Sequence, residues 1–213
     1  MTLATEPTIG HLRHMLLEDV SWEEYERMLR EAEAEHRHLR ITYDDGRMEI
    51  VSPSGKHERV KGFIGMLIEQ YGLERDIWFL PLGSVTCRRK NLRCGLEPDE
   101  CYYVQHRPAN ADELDLNVEP PPDLAVEVDI TRSSLNRDSI YARLGVPEVW
   151  RFTGDRVEVL VRTSNGGYIP ATRSAAFPDL DIDALNRFLT MGLEGDQHAA
   201  AMAFRKWLRE TDD

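Results

Sequence analysis

Closely placed carboxylates are the side chains that hold a hard cation, and two groups of them stand out in this chain. One is Glu97-Pro98-Asp99-Glu100, and the other lies within Pro120 to Ile130, where Asp123, Glu127 and Asp129 are interleaved with Leu124, Val126 and Val128. Side chains of a strand point to opposite faces in turn. The run therefore predicts a strand from Asp123 to Ile130, with Leu124, Val126, Val128 and Ile130 on an apolar face and Asp123, Ala125, Glu127 and Asp129 on an acidic one. The three prolines before it cannot donate to a ladder, so the strand begins after them. Like charges at roughly 6.6 Å along one face repel unless a cation or a donor stands between them.

These residues point to a divalent-metal site. Mg²⁺ takes one or two carboxylates plus waters and substrate phosphate oxygens. Asp99 and Glu127 supply that set if their strands are neighbours. Such an ion lowers the pKa of a bound water and polarises a phosphoryl oxygen, which is the common route to phosphodiester hydrolysis. On this reading, Asn at 99 or Gln at 127 relieves repulsion and leaves the fold as stable as before, or more so. The structural alternative pairs Glu127 and Asp129 with Arg132 or Arg137. Other catalytic plans find no support: there is no Gly-x-Ser-x-Gly elbow, Gly-rich phosphate loop or His-Glu-x-x-His helix.

The elements that must position this site follow from periodicity. Val60, Phe63, Ile64, Leu67, Ile68 and Tyr71 recur at helical spacing and predict an amphipathic helix from Lys56 to Tyr71, closed by Gly72. His57 and Glu58 fall in its first turn, where a carboxylate complements the helix dipole, and both are candidates to reach the metal or its water. Ser21 with Glu24 has capping-box spacing ahead of a helix through Tyr25, Met28, Leu29 and Ala32. Arg40 to Tyr43 and Arg47 to Val51 flank Asp44-Asp45-Gly46 as a hairpin. Short strands are expected at 76–80, 84–88 and 100–105, a helix from Asn136 to Leu144 stopped by Gly145, and strands at 147–152, 156–162 and 168–172. The C-terminal stretch 183–213 is expected to be helical, and residues 1–10 to fray.

Length and charge bound the function. A chain of 213 residues, 41% hydrophobic, suits one domain over 1–213. With 26 basic against 38 acidic residues the formal charge is −12, which argues against a protein that holds nucleic acid mainly by neutralising phosphates and leaves local basic patches open. Arg88, Arg89, Lys90 and Arg93 form the densest basic run, read either as a solvated hairpin tip or as a phosphate contact. Cys87, Cys94 and Cys101 match neither a zinc pattern nor a disulfide framework and are expected to be reduced. With no signal-like start and no run of eighteen apolar residues, the expectation is a soluble, cytoplasmic chain without a membrane partner.

Pro98-Asp99, Pro122-Asp123-Leu-Ala-Val-Glu127-Val-Asp129, Ser134-Leu-Asn-Arg137 and Tyr141 to Trp150 together resemble the bacterial Uma-type restriction endonuclease family, of the PD-(D/E)XK nuclease superfamily. The likeness extends back through Ser21 to Tyr25, Ser52-Pro53 and His57-Glu58, and forward to Ala203 to Trp207. It implies an α/β, restriction-endonuclease-like fold with a mixed central β-sheet flanked by α-helices. It also implies a Mg²⁺-dependent site, with Mn²⁺ a substitute, acting on DNA, with a homodimer allowed. Asp99 takes the place of the motif's Asp and Glu127 that of its second carboxylate. The motif lysine is missing, because Glu127-Val128-Asp129 carries no cation. Arg137 on the following helix is the candidate replacement, and an arginine stays protonated, so it can orient or stabilise charge without acting as a base. Two readings follow: a metal-dependent endonuclease, with catalytic candidates Asp99, Glu127, Asp129, Arg137, Glu58 and His57, or an inactive nuclease-fold module that binds nucleic acid or a protein partner.

Overall fold

The computed structural model describes residues 14–111, 114–129 and 133–211. The expected fraying of residues 1–10, and the side chains of Ile130 and Arg132, lie outside the described residues. The elements are β1 (His14–Leu17), α1 (Trp22–Ala34), β2 (Arg40–Asp44), β3 (Arg47–Val51), α2 (Gly55–Glu74), β4 (Leu80–Pro81), β5 (Cys87–Arg89), β6 (Cys94–Leu96), β7 (Glu100–Tyr103), β8 (Leu124–Val128), α3 (Arg137–Leu144), β9 (Glu148–Phe152), β10 (Val157–Arg162), β11 (Tyr168–Ala171), α4 (Ile182–Glu194) and α5 (Gln197–Glu210). They make an α/β protein with two sheets. One is antiparallel, in the order β1-β3-β2-β6-β5, and the other is mixed, in the order β11-β10-β9-β8-β7-β4. The parallel pair of the second sheet is β8 with β9, and α3 provides the crossover that a parallel connection requires.

Local chemistry accounts for the element ends that bear on the site. Ser21 caps α1 with the reciprocal Glu24 bond expected of a capping box. Ser54 caps α2, its Oγ accepting the His57 N–H at 3.2 Å, and this fixes the first turn that carries His57 and Glu58. Gly72 does not close α2, as its spacing predicts; the helix runs on to Glu74. A Cβ on Gly72 would stand 2.6 Å from the Phe79 ring, so the glycine serves close packing. The strands expected at 76–80 and 84–88 are found as the short β4 and β5, and Phe79, just before β4, packs against α2 at Gly72.

The position of β8 decides the architecture around the site. All five of its residues are buried. Leu124, Val126 and Val128 pack in one core with Val60, Phe63, Ile64 and Leu67 of α2. Ala125 faces a second core that includes Cys87, Leu96, Ile140, Tyr141 and Val149. The face read as acidic is thus a second interior, covered by α3 and the β5–β6 strands, as befits a central strand with layers on both sides. The three cysteines are buried and reduced, as their spacing suggests. No described helix is long and apolar enough to cross a membrane.

Candidate active site

Asp99 immediately precedes β7, and Glu127 lies on its neighbour β8. β7 pairs antiparallel with β8, Glu100 opposite Val126, and the Asp99 N–H donates to the Val126 carbonyl at 3.2 Å. That register sets the Asp99 side chain beside the end of β8, where the Val128 N–H donates to Asp99 Oδ2 at 2.7 Å. Both carboxylates are buried, at 4% and 7% exposure, yet both line one cavity of about 490 Å³. Asp129, Arg137, His57 and Arg40 line it too.

Asp99 is held by cations. His57 Nε2 stands 3.0 Å from Asp99 Oδ2, and His57 Nδ1 3.1 Å from Glu58 Oε1. With a carboxylate oxygen at each ring nitrogen, the imidazole satisfies both only by donating twice, as the imidazolium does. Arg40 adds a weaker contact, Nε to Asp99 Oδ1 at 3.5 Å. Burial works against the ionised form of Asp99. The bond and charge of His57, the Val128 N–H and Arg137 outweigh it and hold the carboxyl below its ordinary value. Burial likewise opposes charge on His57, and Asp99 followed by Glu58 outweighs it, so that its pKa is raised.

Glu127 is held differently. Arg137 donates Nε and Nη2 to Glu127 Oε1, at 3.1 and 2.6 Å, and the Tyr141 hydroxyl donates to the same oxygen. Arg137 also donates Nη1 to Thr42 Oγ1 at 2.7 Å and Nη2 to the Glu97 carbonyl at 2.8 Å. Four bonds, to β8, β2 and the segment before Asp99, fix the guanidinium. All of these donors use Oε1, and Glu127 Oε2 accepts no hydrogen bond from the described residues. Burial pushes the Glu127 carboxyl above its usual range, against the pull of Arg137, and the neighbouring Asp99 charge adds to the rise. The pKa of Arg137 is raised even against its own burial, chiefly by the Glu127 charge.

Five of the six residues singled out from the sequence, Asp99, Glu127, Asp129, Arg137 and His57, meet at this cavity. Asp129 is exposed, its N–H donating to the Phe152 carbonyl at 2.8 Å. Glu58 stands one hydrogen bond back, behind His57. Arg137 lies within reach of Glu127, as its place after the strand predicts. The site also uses residues that spacing did not reveal. Tyr141 could have been found, since it follows Arg137 by one helical turn and shares its face. Arg40 and Thr42, on the first strand of the hairpin, carry no such signal. Nor does Glu49, which is buried beside the cavity and accepts from Ser133 Oγ and the Ser134 N–H, both at 2.5 Å.

Two sequence readings are narrowed. The basic run is largely neutralised, Lys90 by Glu23 at 3.0 Å, Arg93 by Asp45 at 2.5 Å and Arg88 by Glu26 at 3.9 Å, and none of its residues lines the cavity. The repulsion expected between Asp99 and Glu127 is already offset by His57 and Arg137. Neutralising Asp99 therefore strands the His57 charge, whereas at Glu127 the loss of the Arg137 partner works against the relief of a carboxylate that burial disfavours. Among the described residues no three His, Cys, Asp or Glu side chains form a ready metal cage. Two carboxylates with water and phosphate oxygens remain a set that Mg²⁺ accepts. The free Glu127 Oε2 and the loosely held Asp99 Oδ1 fit that set.

The Uma2 family model, described as a putative restriction endonuclease, matches residues 22–197. This chain belongs to that family. Uma2 membership gives it a nuclease-like function and accounts for the ordered motifs from Trp22 to Trp150. Among curated proteins nothing matches. A similar solved structure is that of a putative nuclease belonging to DUF820 from Anabaena variabilis, 16% identical, covering 70% of this chain and 90% of that one, with a TM-score of 0.43.

Proposed function

We propose that this Uma2 protein is an endonuclease that hydrolyses DNA phosphodiester bonds with a divalent cation, Mg²⁺ or Mn²⁺, held by Asp99 and Glu127. One observation carries the reading: two buried carboxylates, one at the entry to β7 and one on its neighbour β8, share a cavity in which one of them keeps an oxygen without a donor among the described residues. The ion, when bound, would supply an activated water and a Lewis acid for the phosphoryl oxygen. The protein's own part is positioning. Arg137 and Tyr141 grip Glu127 by one oxygen and leave the other, which would hold the ion. His57 and Arg40 steady Asp99, with Glu58 holding the imidazole in its charged, doubly donating form. Arg137 cannot take a proton from water, and its four bonds suit it to aligning Glu127. Asp129, exposed at the same cavity, is placed to accept a water proton. The reading carries with it a cytoplasmic site of action, one domain over 1–213 and a symmetric dimer that sedimentation would detect.

The test compares the parent with Glu127→Gln, both titrated with Mn²⁺ by calorimetry and assayed on supercoiled plasmid with Mg²⁺ and Mn²⁺. Ion binding and nicking by the parent, both lost in the variant, are expected. A parent that binds DNA but neither the ion nor any cutting activity would leave the non-cutting nuclease-fold module in its place.

A further inference from the structure

A second cavity, of about 500 Å³, is bounded by Asn136, Asp138, Ser139, Arg143, Arg162 and Tyr168 among others. Asn136 and Asp138 also line the cavity of Asp99 and Glu127. The two hollows therefore adjoin across the first turn of α3.

Charge pairing distinguishes the cations around them. Arg40 is matched with Asp99, Arg137 with Glu127, Arg151 with Asp138 and Arg143 with Asp44. Two arginines are matched only with backbone carbonyls. Arg162, exposed at the end of β10, donates Nε to the Ala142 carbonyl at 3.0 Å. Arg47, exposed at the start of β3, donates Nη2 to the Ser134 carbonyl at 3.4 Å. Neither has a carboxylate partner among the described residues. A carbonyl leaves the charge intact, and a guanidinium with five N–H groups keeps donors for another acceptor. Arg47 thus marks the Ser134 end of the segment 133–139, and Arg162 marks the end beyond Ser139. Between them lie the residues that border both cavities.

We propose that residues 133–139 form the floor of a track for the phosphate backbone of duplex DNA, gripped at its two ends by Arg47 and Arg162, with the carboxylate cavity between. This rests on the nuclease reading and adds where the substrate lies. A chain of net charge −12 repels a polyanion over most of its surface, so cations without an acidic neighbour are where a phosphate strand gains attraction. With 133–136 extended at up to ~3.6 Å per residue and 137–139 helical at ~1.5 Å, the segment spans at most about 15 Å, or about four steps of one strand at ~3.4 Å each. In the denser basic run at 88–93, Arg88, Lys90 and Arg93 are already matched by Glu26, Glu23 and Asp45, and Arg89, which donates to the Leu116 carbonyl, lines neither cavity.

The experiment measures binding of a fluorescent 20-base-pair duplex by anisotropy, in EDTA, across a salt series. Arg47→Ala and Arg162→Ala should each lower the salt slope by about 0.9 and weaken binding about eightfold at 0.1 M salt, the effect of one lost phosphate contact. Arg47→Lys and Arg162→Lys should restore the slope, and Arg93→Ala should leave it unchanged. The track is overturned if the parent does not bind the duplex at 50 mM salt, or if neither alanine variant changes the slope more than Arg93→Ala does. The two readings fail separately. Cleavage that requires Glu127 with unchanged slopes removes the track alone, and falling slopes in a chain that never cuts remove the nuclease alone.

Discussion

Asp123, just before β8, and Glu127, toward the far end of that strand, stand four residues apart, both buried, and their surroundings give them opposite chemistry. Asp123 Oδ2 accepts the N–H groups of Val104, Gln105 and His106 at 2.8, 2.8 and 3.0 Å, and Oδ1 meets His106 Nδ1 at 2.5 Å. Burial opposes its charge, but those donors, the His106 N–H foremost, hold its carboxyl below the ordinary value. Every partner belongs to the segment just after β7, so the carboxylate ties that loop to the start of β8. Glu127 meets one guanidinium and one hydroxyl on a single oxygen, and burial pushes its carboxyl up. A saturated carboxylate anchors backbone. A half-saturated one beside a cavity is poised for a cation.

If this contrast is right, substitutions at the two positions should fail in different assays. The largest effect is expected from Glu127→Gln, with metal-dependent cleavage down by about 10³-fold or more, the scale of several kcal/mol of transition-state stabilisation. Asp123→Ala should leave the cleavage rate of the folded fraction near that of the parent but lower stability in urea by about 3 kcal/mol, since three backbone N–H groups lose their acceptor. Equal loss of rate in both variants would erase the distinction. Arg137→Ala should cost about 3 kcal/mol by leaving Glu127 buried without its cation, whereas Arg137→Lys should keep much of the activity. An alanine variant as stable as the parent would mean that the pair contributes nothing.

The smallest effect, and the sharpest, concerns pH. Because the folded pKa of Asp123 is depressed, its contribution is present above the unfolded value near 4 and is lost as pH falls through the lower folded value. Glu127 has the reverse sign, its ionised form being disfavoured by the fold, so acidification relieves it while protons displace the ion. The acid limb of the stability curve should therefore flatten in Asp123→Asn and not in Glu127→Gln. Mn²⁺ affinity of the parent should weaken as pH drops toward 5. Chemical denaturation at a series of pH values and calorimetry, respectively, check these outcomes.

Much of this molecule was legible in one dimension because its causes are local. A capping box at Ser21 and Glu24, a hairpin turn with Gly46 at φ +93° and the helix stop at Gly145 each depend on a few neighbouring residues, and each appears where the spacing predicts. The alternation through β8, the candidacy of Asp99 and Glu127 and the reach of Arg137 also followed from periodicity and chain distance. What spacing could not supply was occupancy of the third dimension. Gly72 reads as a helix stop until Phe79 is seen against it, and the densest basic run reads as either a hairpin tip or a phosphate contact until α1 and the β2–β3 hairpin bring acids to meet it. Asp123 and Glu127 are equivalent in sequence, two carboxylates on one face. Which of them became an anchor and which a candidate ligand was decided by the strands and the helix that fold over β8, because a carboxylate's pKa and free lone pairs depend on the donors that packing brings within ~3 Å.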